Sequence, residues 1–323
     1  MNNKSINTLV VGGFNTDIVA LGADKILSAG ELTYAKSIKI GPGGKSANMA
    51  RMTAVLLGKN RVAIIGKTSK DPYGLWKLPV DALKKSGVNL DNVKIESFEK
   101  SGQFPGIALI PVDKEGRNQI YVVPGITESF YPSDIDEADE IFEIVQKNKG
   151  NLVLALELPL KTVIYAIKKA VKMEIRVLLD PGGIEENKDY SELLRQKIFL
   201  IKPNEHEIKI LTGIKIEGFE TAKKAAEKLI SQGIENVFIT VGKAGGYLFS
   251  KNLKTHIPIP DIKIGSIKDE TGCGDQTIAT ISASLTEGKD ILTAARIGIL
   301  AGTLQFAKHG IVPVSKKELE KYF

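Results

Sequence analysis

The chain has 323 residues, 43% of them hydrophobic and 25% charged, with a formal net charge of +6. A chain of this length buries a sizeable core without disulfides, and its single cysteine, Cys273, cannot form an internal one. One cysteine and three scattered histidines exclude a zinc cluster, and the lysines are spread over helical faces rather than gathered into a nucleic-acid-binding block. Since no stretch approaches the roughly 20 apolar residues of a membrane span, we expect a soluble, cytoplasmic protein that binds neither membrane nor nucleic acid.

Short apolar runs rich in β-branched residues alternate with segments of helical period, which indicates βαβ units. The expected strands are Thr8 to Val11, Arg61 to Ile65, Leu152 to Leu156, Arg176 to Leu179, Phe199 to Ile201 and Val237 to Val241. This alternation predicts an α/β fold with a mostly parallel central sheet flanked by helices. In such a sheet, ligands bind at the carboxyl ends of the strands.

Two stretches interrupt the alternation, at about residues 17–40 and 103–123. In the second stretch, two strands surround the turn DKEGRN and no helix follows, which is typical of a β-hairpin. We expect these insertions to form a small β-strand lid over the ligand edge of the sheet. No repeat or linker divides the chain, so one domain over residues 1–323 that carries this lid is the simplest partition.

Three motifs in the first half of the chain lie next to predicted strands or helices. GFNTD at residues 13–17 follows the first strand and is typical of a polar turn. GPGGKS at residues 41–46 precedes a helix and ends like a Walker A loop, but that pattern requires glycine where Lys39 stands. Glu157 follows a buried strand, where an α/β sheet presents ligand contacts.

Three further motifs follow in the second half. KPNEHE at residues 202–207 has the spacing of an N-cap with a capping box, and its Glu207 is also adequate as a water-mediated Mg²⁺ ligand. TVGKAGG at residues 240–246 ends a strand in a glycine-rich turn whose backbone can pass close to a phosphate. A helix over residues 296–310 ends in Lys308-His309-Gly310, a glycine stop after basic residues.

The strongest local signal is DETGCGD at residues 269–275, which opens an apolar-periodic helix. The first N–H groups of a helix have no intrahelical partners, so together with the helix dipole they form an anion site. Taken alone, Asp275 in that first turn is an ordinary capping residue. Beside a bound phosphate, however, its carboxylate is unfavourable unless it accepts the proton of an attacking hydroxyl.

Together these motifs resemble the ribokinase-like carbohydrate kinases, the PfkB family, in the family order from about Thr8 to Pro313. DETGCGD is similar to the family's Asp-Thr-x-Gly-Ala-Gly-Asp, and GGKSANMA is similar to its Gly-Gly-Lys-Gly-Ala-Asn-x-Ala. Glu270, Cys273 and Ser46 depart from these patterns. The resemblance implies a ribokinase-like fold and ATP-dependent phosphorylation of a sugar hydroxyl.

The resemblance also assigns roles to residues. Asp275 is the expected catalytic base, and the amides of Gly272, Cys273 and Gly274 are the expected anion hole for the γ-phosphate. The expected sugar-binding residues are Asn15, Asp17, Gly43, Gly44, Lys45, Asn48 and Glu157. The expected nucleotide-binding residues are Asn204, Thr240, Gly242, Lys243, Gly245 and His309. The expected metal-binding residues are Glu207 for Mg²⁺, and Asp269 and Thr271 for a further candidate cofactor, K⁺.

The sugar-binding set favours a ribose-like acceptor, although Gln276 and Thr277 differ from the residues more usual in ribokinases. A nucleoside acceptor needs an apolar slot, for which the candidates are Phe14, Phe104, Ile107 and Tyr121. A sugar-phosphate acceptor needs cations, for which the candidates on the lid are Lys36, Lys39 and Arg117. A sensor that binds sugar or nucleotide without catalysis is the alternative from another class, but it has no use for Asp275. By resemblance, the lid strands also pair two subunits in a homodimer.

Overall fold

Thirteen β-strands and twelve α-helices make up the computed structural model, which describes residues 5–262, 265 and 268–322. The strands are β1 (Thr8–Val11), β2 (Asn15–Ala23), β3 (Ser37–Gly43), β4 (Val62–Lys70), β5 (Val93–Ser97), β6 (Gly106–Asp113), β7 (Tyr121–Val123), β8 (Asn151–Ala155), β9 (Arg176–Asp180), β10 (Leu200–Ile201), β11 (Asn236–Thr240), β12 (Gly246–Ser250) and β13 (Lys254–Ile257). The helices are α1 (Lys45–Leu57), α2 (Lys77–Lys85), α3 (Phe98–Ser101), α4 (Pro132–Asp136), α5 (Asp139–Lys147), α6 (Leu160–Lys172), α7 (Ser191–Leu194), α8 (Glu205–Thr212), α9 (Phe219–Ile230), α10 (Cys273–Thr286), α11 (Ile291–Phe306) and α12 (Lys316–Leu319).

Nine strands form the central sheet, in the order β13-β12-β11-β10-β9-β8-β1-β4-β5. The strands from β11 to β5 in this order are parallel, and β12 and β13 add an antiparallel edge. The chain leaves β1 toward β4 on one side and returns to β8 on the other. The gap between β1 and β8 is therefore the topological switch point, where α/β sheets bind ligands.

All six predicted strands are present, but the extent of the sheet exceeds the prediction. Strand β4 continues past Ile65 through the polar sequence GKTSK to Lys70, and this extension pairs with β5. This extension was not predicted because its residues are polar, although Thr68 and Ser69 are fully buried. Strands β5, β12 and β13 were not predicted, because charged residues or a glycine-rich turn interrupt their apolar pattern.

The hydrophobic core lies on both faces of the sheet. Alternate residues of β1 point to opposite faces, so Leu9 and Val11 belong to the hydrophobic cluster that includes α5, α6 and α9, whereas Val10 belongs to the cluster that includes α1, α10 and α11. Burial on both faces explains why the inner strands are continuous apolar runs. Within the described residues, every helix is too short or too polar to cross a membrane.

A second sheet, in the order β3-β2-β6-β7, forms the lid and contains both stretches that interrupt the βαβ alternation. Strand β2 pairs antiparallel with β3 and parallel with β6, and β6 pairs antiparallel with β7. The predicted α/β fold with a small β-strand lid is confirmed. That residues 1–323 form one domain remains a prediction, since residues 1–4 and 323 lie outside the described residues.

The two faces of the lid differ in character. Asn15 and Asp17 lie on one face, and their cross-strand partners are small, namely Gly43, Gly41, Gly106 and Ala108. A Cβ atom at Gly43 would come within 1.9 Å of Asp17 Oδ1, and one at Gly106 within 2.1 Å of Asn15 Oδ1. Glycine at these positions therefore makes the space that the two polar side chains occupy.

Candidate active site

Five adjacent strands present polar residues at their carboxyl ends, which form one edge of the central sheet. In the order of the strands β11, β10, β9, β8 and β1, these residues are Thr240, Lys202, Asp180, Glu157 and Asn15. The helices α1 and α10 begin above the same edge, because Lys45 at the start of α1 contacts both Asp180 and Asp275. Predicted sugar-binding residues lie toward β1, and predicted nucleotide-binding residues lie toward β11.

Asp275 occupies the first turn of α10 and is 5% exposed. Lys45 Nζ lies 2.8 Å from its Oδ1, and Asn48 Nδ2 lies 3.0 Å from its Oδ2. Each carboxylate oxygen therefore accepts one hydrogen bond from α1, which fixes the orientation of the group. Asn48 Oδ1 is buried without a partner among the described residues, so it can accept a hydrogen bond from a ligand hydroxyl.

The start of α10 differs in one respect from the predicted anion hole. Gly272 has φ of 76°, a left-handed conformation that favours glycine. In this turn the Cys273 N–H donates a hydrogen bond to the Glu270 carbonyl at 3.2 Å. The Cys273 amide is thus already engaged. Among the described residues, the amides of Gly272, Gly274 and Asp275 have no acceptor, so these are the amides available to an anion.

The thiol of Cys273 has no reactive character. Burial, together with the neighbouring carboxylates of Asp269, Glu270 and Asp275, raises its pKa to about 12. The thiol is therefore protonated at neutral pH and is not a nucleophile.

Glu157 contacts the start of α1 rather than an open pocket. Its Oε1 accepts the Lys45 backbone N–H at 2.7 Å, and its Oε2 accepts the Ser46 N–H at 2.9 Å and the Ser46 hydroxyl at 3.0 Å. Gly44, the N-cap residue of α1, has no side chain to supply this cap. Burial raises the pKa of Glu157, and the hydrogen bonds from Ser46 and Lys45 oppose that rise. Both of its oxygens thus stabilise the helix start, in addition to the predicted sugar contact.

The lid brings a second carboxylate over this edge. Burial, and next the negative charges of Glu157 and Asp275, raise the pKa of Asp17 to about 6. The lid approaches the start of α1 closely at Gly44, because a Cβ at this position would lie 3.0 Å from the Asn15 backbone nitrogen. The structure therefore brings together the whole predicted sugar-binding set and Asp275.

A buried ion pair that the sequence analysis missed links the two halves of the site. Asp180, with no exposed surface, lies 3.0 Å from Lys202 Nζ and 3.5 Å from Lys45 Nζ. Burial opposes its charged form, but Lys202 and Lys45 outweigh burial and lower the pKa of Asp180 to about 2. Likewise, Asp180 and Asp275 outweigh burial and raise the pKa of Lys45 well above its ordinary value. A Cβ at Gly274 would lie 3.4 Å from Lys202 Nζ, so this ammonium borders the free amides of α10.

The predicted nucleotide-binding residues lie on the far side of Lys202. Asn204 and Glu207 form the predicted capping box of α8, and the Thr240 N–H donates to the Pro203 carbonyl at 2.9 Å. Burial, and next the charge of Asp180, raise the pKa of Glu207. The turn after β11 contains Gly242 and Gly245, with φ of 47° and 88°, and the exposed Lys243 between them.

Asp269, Thr271 and His309 meet where the loop before α10 approaches the end of α11. Asp269 Oδ1 accepts the Thr271 N–H at 2.9 Å, and its Oδ2 accepts the Gly310 N–H at 2.8 Å. Partial burial opposes the charge of Asp269, but a hydrogen bond from the Thr271 side chain, and next those from the Gly310 and Thr271 backbone, outweigh it and lower the pKa of Asp269. Gln305, which was not predicted, donates from Nε2 to the carbonyls of Gly310 and Thr271.

Comparisons with known proteins agree with this architecture. The sequence pattern of the pfkB family carbohydrate kinases matches residues 6–317. Ribokinase from Arabidopsis thaliana is 31% identical over 309 residues, which are 94% of this chain and 77% of that protein. Deoxyribokinase from Salmonella typhimurium is 28% identical over 291 residues, which are 90% of this chain and 89% of that protein. The structure of Arabidopsis ribokinase complexed with ribose and ATP superimposes with a TM-score of 0.85 at 29% identity and covers 98% of both chains. The chain therefore belongs to the PfkB family of carbohydrate kinases.

Proposed function

We propose that this protein transfers the γ-phosphate of ATP to a hydroxyl of a ribose-like sugar, with Asp275 as the general base. The observation that carries the proposal is the position of Asp275, whose carboxylate is held by Lys45 and Asn48 beside the free amides of α10. A base and an anion site within one helical turn suit phosphoryl transfer to a hydroxyl. The relatives named ribokinase and deoxyribokinase, and the neighbour that holds ribose and ATP, support this choice of substrates.

In the proposed reaction, the sugar lies between the lid and the start of α1. Asn15, Asp17 and the unpartnered Asn48 Oδ1 accept or donate hydrogen bonds to its hydroxyls, and one hydroxyl faces Asp275. The γ-phosphate lies at the start of α10, where the Gly274 amide and the Lys202 ammonium stabilise its charge. Asp275 accepts the proton as the hydroxyl oxygen attacks phosphorus, and the bond to ADP breaks.

The residues toward β11 suit the remaining parts of the nucleotide. We propose that the turn from Gly242 to Gly245, together with Thr240, Asn204 and His309, contacts ATP. Mg²⁺ fits beside Glu207, because Glu207 and Asp180 carry adjacent negative charges whose repulsion a cation relieves. When bound, Mg²⁺ would neutralise part of the negative charge of the ATP phosphates.

Several residues predicted for the two other acceptors lie away from the site or already have partners. For a nucleoside slot, Phe14 has no exposed surface, and Ile107 and Tyr121 share a register with Thr16 and Ile18, on the lid face opposite Asn15. For a sugar phosphate, Arg117 already pairs with Asp113 at the hairpin turn. A coupled ADP-release screen across ribose, 2-deoxyribose, hexoses, sugar phosphates and nucleosides tests this ranking. Turnover of a nucleoside or a sugar phosphate alone would replace the ribose-like assignment.

Asp275→Asn tests the base. We expect kcat to fall by roughly 100- to 10,000-fold, because the amide keeps the shape of the side chain but cannot accept the proton. Affinity for ATP, measured by calorimetry, should change little, since the amides of α10 are retained. Asp189→Asn, at an exposed aspartate outside the site, is the matched control. A variant at position 275 that turns over at the normal rate would remove Asp275 from this role.

Asp17→Asn tests the charge at the lid. A carboxyl whose pKa rises to about 6 on folding destabilises the folded protein once it ionises, and this effect is complete above pH 6 and absent below its unfolded pKa. Asn carries no charge, so in urea unfolding at pH 7.5 the variant should be more stable by on the order of 2–3 kcal/mol. The gain should shrink steadily toward pH 4, while KM for the sugar rises at pH 7.5. A gain that is equal at both pH values would contradict the assignment.

We propose further that the outer face of the lid binds a second copy of this chain. Ile40, Ile18, Leu109 and Tyr121 form one row across the four strands, and three of them are at least 43% exposed. Val123, which pairs with Ile107 on the same face and is also exposed, enlarges the patch. An apolar sheet face of this kind is self-complementary across a two-fold axis, which favours a homodimer.

Leu109→Lys tests this interface, since it places a charge in the middle of the row. In light scattering coupled to size exclusion, we expect the unmodified protein to have the mass of a dimer and the variant that of a monomer. Tyr131→Lys, at an exposed aromatic residue outside the lid, should leave the mass unchanged. A monomeric unmodified protein at micromolar concentration would refute the proposed dimer.

A further inference from the structure

The cluster around Gly310 does not fit the monovalent cation that the sequence analysis placed beside Asp269 and Thr271. A K⁺ site is built from converging oxygen atoms, commonly backbone carbonyls, that replace the hydration shell of the ion. The carbonyls of Thr271 and Gly310 do converge, but on the side-chain nitrogen of Gln305. Nε2 lies 2.6 Å from Gly310 O and 3.2 Å from Thr271 O. An ion between these carbonyls would overlap this nitrogen.

The orientation of the amide follows from its surroundings. A glutamine amide has two N–H donors, and two carbonyl oxygens can only accept. The opposite orientation would direct Oε1, which has no hydrogen, at both carbonyls. Gln305 is fully buried, and its Oε1 has no partner within the described part of the chain, so the two carbonyls alone determine the orientation.

The other oxygens of the cluster also have donors. Both carboxylate oxygens of Asp269 accept backbone N–H groups, from Thr271 and from Gly310. Three hydrogen bonds among the described residues thus join the loop before α10 to the end of α11. Gly310 N–H donates to Asp269 Oδ2, Gln305 Nε2 donates to the Thr271 carbonyl, and the Asp269 N–H donates to the Phe306 carbonyl at 3.0 Å. No cation is needed to hold the two segments together.

From these contacts we infer that the Gln305 amide takes the place of a monovalent cation, which makes this protein independent of K⁺. A Cβ at Gly272 would lie 3.7 Å from Gln305 Nε2, so the amide borders the left-handed turn that opens α10. Gln305 is accordingly a positioning residue, which holds the loop that carries the free amides without touching the substrate. The inference rests on the proposed function only for its kinetic readout.

The unmodified protein gives the first test. We compare kcat, KM for ATP and the thermal unfolding midpoint in KCl and in N-methyl-D-glucamine chloride at equal ionic strength, and expect kcat to agree within about twofold and the midpoint to be unchanged. Activation by K⁺ of about tenfold or more, or a rise in the midpoint that is specific to K⁺, would overturn the inference.

Two variants give the second test. Gln305→Ala removes the amide but leaves the carbonyls of Thr271 and Gly310, so we expect kcat in N-methyl-D-glucamine chloride to fall about tenfold or more and K⁺ to restore both kcat and the unfolding midpoint. Gln305→Met fills the space without a donor and should lose activity that K⁺ does not restore. If Gln305→Ala behaves like the unmodified protein in both salts, the amide has no such role.

The two readouts separate this inference from the proposed reaction. If the protein phosphorylates no sugar, the unfolding midpoints still report whether K⁺ binds the unmodified protein or only Gln305→Ala. If neither variant folds, the comparison of salts on the unmodified protein decides the inference alone.

Discussion

The ion pair between Lys45 and Asp275 is the interaction on which the site depends. It joins α1 to α10 across 230 residues of sequence at a distance of 2.8 Å. A buried carboxylate is unfavourable without a partner, and Asp275 and Asp180 are stable here because the charges alternate. Asp275 meets Lys45, Lys45 meets Asp180, and Asp180 meets Lys202. This chain of four charges is neutral as a whole, and its two ends lie where the acceptor and the phosphate are proposed to bind.

The two faces of the lid separate polar from apolar side chains. The inner face carries polar side chains in space left by glycine, and the outer face carries an apolar row. A strand with this alternation has a strongly specified register, because a slip of one residue would exchange the two faces. Burial, and next the charges of Glu157 and Asp275, raise the pKa of Asp17, so the charged form of this side chain is disfavoured on the inner face. Such strain is typical of a site that awaits a hydrogen-bonding ligand.

The sequence predicted the parts of the site that have a fixed local geometry. Glycine spacing before α1 and α10, and the Asn204 to Glu207 capping box, indicate backbone conformations that depend on few distant contacts. The roles of Asp180 and Lys202 were missed because a charge at a strand end acquires its partner only from the strand order. A clue was present, since both residues end or follow predicted strands. Gln305 gave no signal at all, because its partners are backbone carbonyls that no residue type reveals.

The contrast between the two helix starts supports the proposed position of the phosphate at α10. Both α1 and α10 begin at the same sheet edge, and at each start the first amides have no partner within the helix and the dipole end is positive. At α1, the Glu157 carboxylate already accepts the first amides, so a phosphate there would meet a negative charge. At α10, the Lys202 ammonium borders the first turn, and the amides of Gly274 and Asp275 have no acceptor among the described residues. The resemblance of GGKS to a phosphate-binding loop is therefore misleading for a physical reason. Glu157 occupies the amides of that helix start, whereas the amides at α10 are free, which supports the proposed position of the phosphate at α10.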